Sequence, residues 1–319
     1  MQRIWLLTLL GFLALGLTGL SPSESPVVPP PDQLGPYAVG YFLVDYPVPP
    51  YGTYQAMIRY PARWAGPNAP KLDRQSVFPG IVVCNGFAGA HWNIKWIGEH
   101  LTSHGYVTLS FTPPDNISVN AAEWAAGFKG GLATLKAQNA RGASAMSGLL
   151  DLKKFGIIGF SMGGGGCLQA TAKNPEVTAA VCLAPAKGPL TNDRAENIVV
   201  PVQIQVGSED GIVPPAGVLA YYTDAVPSST IKEFVEIAGG NHIGYIDEFF
   251  ANVAKTMGLD NPAKISVPAQ HEIAARYFTA WFQFHIKGQS GYAPYIFGDL
   301  AAADLAQGKL SDLRINLPE

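Results

Sequence analysis

Residues 155–167 read FGIIGFSMGGGGC, and no other stretch restricts the fold as tightly. A strand-type apolar run, 155–160, meets Ser161 and Met162, and four glycines follow. Gly159-Phe160-Ser161-Met162-Gly163 fits the G-x-S-x-G pattern, in which a serine sits at the apex of a sharp strand-to-helix turn. Glycine is needed at both flanks because a Cβ there would meet the neighbouring strand or helix. The chain has 35 glycines, so an ordinary Gly-rich turn is the bland alternative. The context favours a nucleophile: a strand-type run leads in, and residues 167–172 (CLQATA) suit a helix leading out.

The rest of the chain supplies the matching elements. GYFLVDYP and YQAMIRYP read as an antiparallel pair around a Pro-Pro-Tyr-Gly turn. The short apolar run 81–84 suits a strand buried on both faces. Further strands are expected at 106–111, 155–160, 179–183, 200–206 and 232–237, and helices at 92–103, 119–140, 216–225 and 271–286. This alternation predicts an α/β fold with a mainly parallel central sheet and helices on both faces. The stretch between residues 183 and 200 is short, so no separate lid domain is expected and the site should be open. Residues 36–319 read as one domain.

Hydrophobic residues make up 48% of the 319 and charged residues 14%, which fits a folded chain with a large core. The net charge is −3 without a long basic run, so a nucleic-acid partner is not expected. Arg3 precedes an apolar run, 4–20, and then SPSESPVVPPP. Residues 1–21 read as a signal peptide and 22–35 as a Pro/Ser-rich linker, which predicts a secreted or periplasmic protein with no stable membrane span after processing. An uncleaved anchor remains the alternative. Cys84, Cys167 and Cys182 all lie in apolar stretches and read as buried thiols. The odd count leaves at least one unpaired, and a Cys84–Cys182 or Cys167–Cys182 bridge stays open. No cluster has zinc-ligand spacing, so neither metal nor cofactor is expected, and the protein is expected to be a monomer.

A serine nucleophile needs a base and an acid. Downstream, the strand 202–206 ends in Gly207-Ser208-Glu209-Asp210, on the side of the sheet where ligands bind. Asp210 is the candidate acid and Glu209 its competitor. After the strand ending at residue 237 comes Ala238-Gly239-Gly240-Asn241-His242, and His242 is the candidate base. His271 and His285 fall on the expected C-terminal helix, where packing is the simpler role. Ser161, Asp210 and His242 follow the chain order Ser, Asp, His. The oxyanion donors are expected to be the backbone N–H groups of Met162 and of Phe87, the latter in the loop Asn85-Gly86-Phe87-Ala88-Gly89.

These residues resemble the bacterial cutinase-like polyester hydrolases of the α/β-hydrolase superfamily. GFSMGGGG with ATAKNPEVTAAVCLAP is similar to their elbow, helix and following strand. NIKWIGEHLTSHGYVTLSF, Asp210-Gly211-Ile212-Val213-Pro214 and AARYFTAWFQFHIKGQSGY are similar to the segment after their oxyanion loop, their acid turn and their C-terminal helix. The similarity covers roughly residues 36–300, and dienelactone-hydrolase-like and platelet-activating-factor-acetylhydrolase-like esterases share part of it. It implies extracellular hydrolysis of small or polymeric carboxylic esters through an acyl-enzyme, with Ser161, Asp210 and His242 as triad. Phe87 and Ile212 would line the substrate cleft. Phe87 replaces the family's usual tyrosine, and Phe160 stands where histidine or tryptophan is usual. Ala186 occupies the place of a tryptophan that grips the substrate ring, which leaves aromatic polyester cleavage open. Trp92 is a candidate substitute wall, with simple packing as its alternative. An acyltransferase, a peptidase or a small-ester- or lipid-specific esterase on the same triad, and a non-catalytic binding protein on this scaffold, are the competing readings.

Overall fold

The chain enters its sheet through a hairpin, β1 (Ala38–Val48) and β2 (Gly52–Ala62), whose strands pair antiparallel over eleven residues each. The turn between them contains a cis Pro49–Pro50 bond. The computed structural model describes residues 28–72, 77–186 and 195–318. A two-residue strand, β3 (Gly66–Pro67), flanks β1. Then come β4 (Phe78–Cys84), α1 (Lys95–Ser103), β5 (Val107–Thr112), α2 (Ala121–Ala140), β6 (Leu150–Phe160), α3 (Met162–Lys173) and β7 (Val177–Leu183). They are followed by β8 (Val202–Gly207), α4 (Pro215–Ala220) and β9 (Lys232–Ile237). The chain closes with α5 (Glu248–Thr256), α6 (Val267–His285), α7 (Pro294–Phe297), α8 (Asp299–Ala306) and β10 (Leu310–Asn316). The sheet order is β10-β9-β8-β7-β6-β4-β5-β2-β1-β3, parallel from β4 to β9, with β10, β2 and β1 antiparallel to their neighbours and the short β3 parallel to β1.

Alternation of side chains along the central strands builds two cores. Val82 and Cys84 pack with Trp124, Phe128 and Leu132 of α2 and Leu168 of α3. Ile81 and Val83 pack on the other face with Ile97 and Leu101 of α1 and Phe278, Trp281 and Phe282 of α6. The helices that follow the adjacent strands β4 and β6 therefore leave to opposite faces, which opens a crevice at the carboxyl ends of those two strands. Local signals set the helix starts. The Asn120 side chain accepts the Ala122 N–H at 3.1 Å before α2, and Ser266 Oγ accepts the Ala269 N–H at 3.3 Å before α6.

The α/β fold with helices on both faces is as expected, but several elements differ from the sequence reading. The helix expected from residue 92 begins at Lys95, and the one expected over 216–225 gives way to a π turn at Tyr221–Ala225. The last strand, β10, and the short helices α5, α7 and α8 were not expected. The expected signal peptide at 1–21 and residues 22–27 of the expected linker lie outside the described residues, as do 187–194 within the short 183–200 connection.

Residues 28–35, read as linker, are fastened to the domain. Histidine ring nitrogens do much of this: His100 Nε2 bonds the Pro31 carbonyl and His104 Nε2 the Gln33 carbonyl, both at 2.8 Å. Tyr292 Oη donates to the Pro29 carbonyl, Gly35 N–H donates to Ser103 Oγ, and Asp32 pairs with Arg276. Proline-rich segments make few internal hydrogen bonds, here one from Gln33 N–H to the Pro30 carbonyl at 3.4 Å, so other carbonyls are available to such donors.

All three cysteines are buried and free, which settles the open pairing question in favour of thiols. Among the described residues no helix is long and apolar enough to cross a membrane.

Candidate active site

Ser161 sits between β6 and α3 with φ 56° and ψ −120°, a conformation a side-chain-bearing residue adopts only under constraint. The constraint is packing. A Cβ on Gly159 would lie 2.2 Å from the Gly163 carbonyl oxygen, and one on Gly163 would lie 2.2 Å from that of Asn85. The backbone is pinned further: Ser161 N–H donates to the Leu183 carbonyl at 2.9 Å, and the Ser161 carbonyl accepts from Gly165 and Ala186. The elbow therefore lifts the serine to the crevice while its neighbours touch strand and loop backbone.

His242 Nε2 lies 2.9 Å from Ser161 Oγ, and its Nδ1 lies 2.8 Å from Asp210 Oδ2. All three residues are buried. Asp210 Oδ1 accepts the N–H groups of Ile212 (3.0 Å) and Val213 (2.6 Å), so both carboxylate oxygens are satisfied and the side chain is fixed. An ionised carboxylate only accepts, so Nδ1 carries the proton and Nε2 is left as the acceptor for the serine hydroxyl. Glu209 points elsewhere: Lys264 Nζ bonds its Oε1 at 2.8 Å and, with Ser208, holds its carboxyl below the usual range. Its competing claim on His242 fails for that reason.

The loop after β4 comes close to the serine. A Cβ on Gly86 would stand 2.5 Å from Ser161 Cβ and 3.0 Å from Oγ. Asn85 holds this loop through both ends of its amide, accepting from Gly86 N–H (2.7 Å) and donating to the Ala90 carbonyl (3.1 Å). Phe87 follows, half exposed over the cleft. Met162 opens α3, where the first-turn N–H groups have no partner within the helix. Met162 thus adjoins Ser161 at the start of α3, and Phe87 lines the same cleft.

The cleft has a volume of about 580 Å³ and is lined by Ser161, His242, Phe87 and Ile212 together with Phe160, Ile243, Ile246, Ala254 and Leu259. Trp92 and Ala186 are not among its lining residues. Trp92 is half exposed and meets His91 edge-on at 4.7 Å, and Ala186 packs against the core beside the Ser161 carbonyl.

Phe160 was noted in the sequence only as a departure from a pattern. Its ring lies 4.7 Å from that of His242 and 5.6 Å from that of Tyr245, so it backs the base. The wall formed by Ile246, Ala254 and Leu259 comes from the α5 segment, whose helical period is short and was missed. His271 has the packing role expected of it, stacked on Trp96 at 3.9 Å. His285 packs against Trp281 and Phe284.

A family model described as PET hydrolase-like matches residues 32–299. Among curated proteins, the chain is 24% identical over 224 residues to "Cutinase 1" of Thermobifida cellulosilytica, a match covering 69% of this chain and 73% of that one. It is 24% identical over 224 residues to a "Cutinase" of Thermobifida fusca (strain YX), covering 69% of this chain and 64% of the relative. It is 28% identical over 174 residues to the "Bis(hydroxyethyl) terephthalate hydrolase" of Streptomyces coelicolor, covering 54% and 53%. The chain thus spans between about half and three quarters of these relatives.

Proposed function

The chain belongs to the PET hydrolase-like family, a family of carboxylic-ester hydrolases, and from that premise we propose that it is a secreted serine esterase of the polyesterase kind. Ser161, His242 and Asp210 carry the reaction. The observation that carries this reading is the unbroken chain of contacts, 2.8 Å from Asp210 to His242 and 2.9 Å from His242 to Ser161, ending in the cleft.

A serine hydroxyl is a poor nucleophile at neutral pH. His242 Nε2 takes its proton as Oγ attacks the ester carbonyl carbon, and Asp210 stabilises the imidazolium that forms. The carbonyl oxygen becomes an oxyanion held by the N–H groups of Phe87 and Met162. The intermediate collapses, the ester C–O bond breaks, and His242 returns the proton to the departing alkoxide. An acyl group is left on Ser161. Water then attacks it with His242 again as base, the carboxylic acid leaves, and the serine hydroxyl is restored.

The cleft suits an ester presented on a bulky or insoluble body. Phe87, Ile212 and Leu259 line it and are themselves substantially exposed, so the apolar lining continues onto the outer surface. Beside it, Phe249, Val253 and Met257 recur every four residues on α5 and its end and are also exposed. Residues 1–21 act as the export signal, on the strength of Arg3 and the apolar run behind it. The protein from residue 28 onward is then a single catalytic unit, working as a monomer.

The test is hydrolysis of p-nitrophenyl butyrate and covalent labelling by a fluorophosphonate, for the mature protein and its Ser161→Ala variant. Hydrolysis and labelling that both disappear in the variant are expected. Undiminished hydrolysis by Ser161→Ala would overturn the assignment.

A further inference from the structure

The acid and the base stand on separate loops, and their mutual distance depends on how those loops are tied. Upstream the tie is backbone: Glu209 N–H donates to the Gly240 carbonyl at 2.8 Å. Downstream it is a side chain. Asp260 Oδ1 accepts the N–H of Gly211, the residue after Asp210, at 2.9 Å. Asp260 Oδ2 accepts the N–H of Ile243, the residue after His242, at 3.0 Å. Each triad loop is therefore held immediately beyond its functional residue by one oxygen of the same carboxylate.

The neighbour of Asp260 strengthens the tie. The Asn261 carbonyl accepts from Asn241 Nδ2 at 2.7 Å, and Asn241 immediately precedes His242. Asn241 Oδ1 in turn accepts from Gly244 N–H, while Gln270 of α6 bonds both the N–H and the carbonyl of Asn241. Behind the acid turn, the Asn261 amide fills the space beside Gly211, where a Cβ would come within 2.7 Å of it.

We propose that Asp260 is a positioning residue for the hydrolysis: its carboxylate clamps the Asp210 turn to the His242 loop and fixes the distance across which the two work. The inference rests on the triad reading above. A carboxylate fits the task because the Gly211 and Ile243 N–H groups reach it from different sides, with the adjacent Asn261 N–H also on Oδ1 at 2.8 Å, and only a group with two acceptor oxygens meets both loops. An amide meets one and turns its own NH2 toward the other. Misplacement by a fraction of an ångström at such a site lowers the turnover step out of proportion to the binding step. Leu259, beside Asp260, lines the cleft, so the clamp also ties that wall to the triad.

The test compares Asp260→Ala and Asp260→Asn with the wild-type protein on soluble p-nitrophenyl butyrate. Tyr60→Phe, which removes a buried hydrogen bond from β2 to the Ala69 carbonyl, at the other side of the sheet from β8 and β9, reports what lost stability alone does. Both Asp260 variants are expected to lose at least tenfold in kcat with KM within about twofold, and to show a displaced acid limb in the pH profile of kcat/KM. A kcat within twofold of wild type and an unshifted pH profile overturn the proposal, as does an equal kcat loss in a Tyr60→Phe variant of matched Tm. Amide hydrogen exchange on the wild-type protein covers the case in which the variants do not fold. Protection of Gly211 and Ile243 is expected there, and free exchange at both overturns the clamp. Inactivity of Ser161→Ala alongside an unaffected Asp260→Ala would sink this inference alone, whereas an active Ser161→Ala would sink the triad reading beneath it.

Discussion

Two adjacent carboxylates, Glu209 and Asp210, differ in role because they face different partners. Asp210 is buried between His242 and two backbone N–H groups, and Glu209 reaches outward to Lys264. Asp210→Asn keeps the shape but can present its NH2 to Nδ1, which favours the wrong tautomer of His242. It is expected to lower kcat by a factor on the order of 10⁴, while Glu209→Gln leaves kcat within about twofold. Steady-state kinetics of the two variants, measured side by side, checks both. Equal losses would mean that the acid has been misassigned. The sequence already favoured Asp210 through its place at the end of a strand, but only coordinates exclude Glu209, because the deciding contact spans 55 residues to Lys264. Phe160 was hidden for a similar reason. Its contact with His242 is made across the sheet, and no local pattern announces it.

At the scale of elements, the strands that matter most were the most legible. The segments 81–84 and 155–160 are continuous apolar runs because both faces of a parallel sheet are covered, and they appear within β4 and β6; 232–237, KEFVEI, keeps Phe234, Val235 and Ile237 among charged residues and appears as β9. Helix α5 was not legible: EFFANVAKT has nine residues, and its apolar positions are divided between two destinations. Ala251 and Ala254 face inward, whereas Phe249 and Val253 face solvent. Phe249, with 72% of its surface exposed, is large for a residue left in water. On a polyester surface such side chains recover the burial they lack in solution, each worth about 1.5–3 kcal/mol when fully covered. Replacing Phe249, Val253 and Met257 together by serine is therefore expected to weaken adsorption to a polyester film by on the order of tenfold or more. Hydrolysis of a soluble ester should stay within about twofold, since none of the three lines the cleft. Film depletion assays and soluble-ester kinetics on the same preparation separate the two effects. A parallel fall in both would tie α5 to the chemistry and not to the surface.

Across the whole molecule, buried histidines set the response to acid. His100 is pushed down to about 3, and His91, His271 and His285 each to about 4, all chiefly by desolvation. In the unfolded chain each titrates near 6.5, so between pH 6.5 and about 4 the unfolded state binds four protons that the folded state refuses. Glu233 works in the opposite sense. Burial raises it to about 8, so the folded state holds one proton that the unfolded state has released above pH 4.5. Between about pH 4.5 and 6.5 the balance among these five groups is three protons in favour of the unfolded state, so stability falls as the pH drops through that window. Above about pH 7 the single proton held by Glu233 is offset by Lys287, pushed down to about 7 by burial, which refuses a proton that the unfolded chain binds. Each unbalanced proton costs at most about 1.4 kcal/mol per pH unit. Two of these histidines also hold backbone: His100 bonds the Pro31 carbonyl of residues 28–35, and His271 bonds the Ile246 carbonyl ahead of α5. Protonation does not remove these donor contacts, so the loss comes from charging buried rings and should be global. Thermal unfolding between pH 8 and pH 5 is expected to show a Tm level down to about 6.5 and falling steeply below it. His100→Gln, which keeps a donor for Pro31 but cannot charge, should make that fall shallower. A Tm that rose on acidification would mean that Glu233 and Asp247, whose carboxyls burial raises, outweigh the histidines.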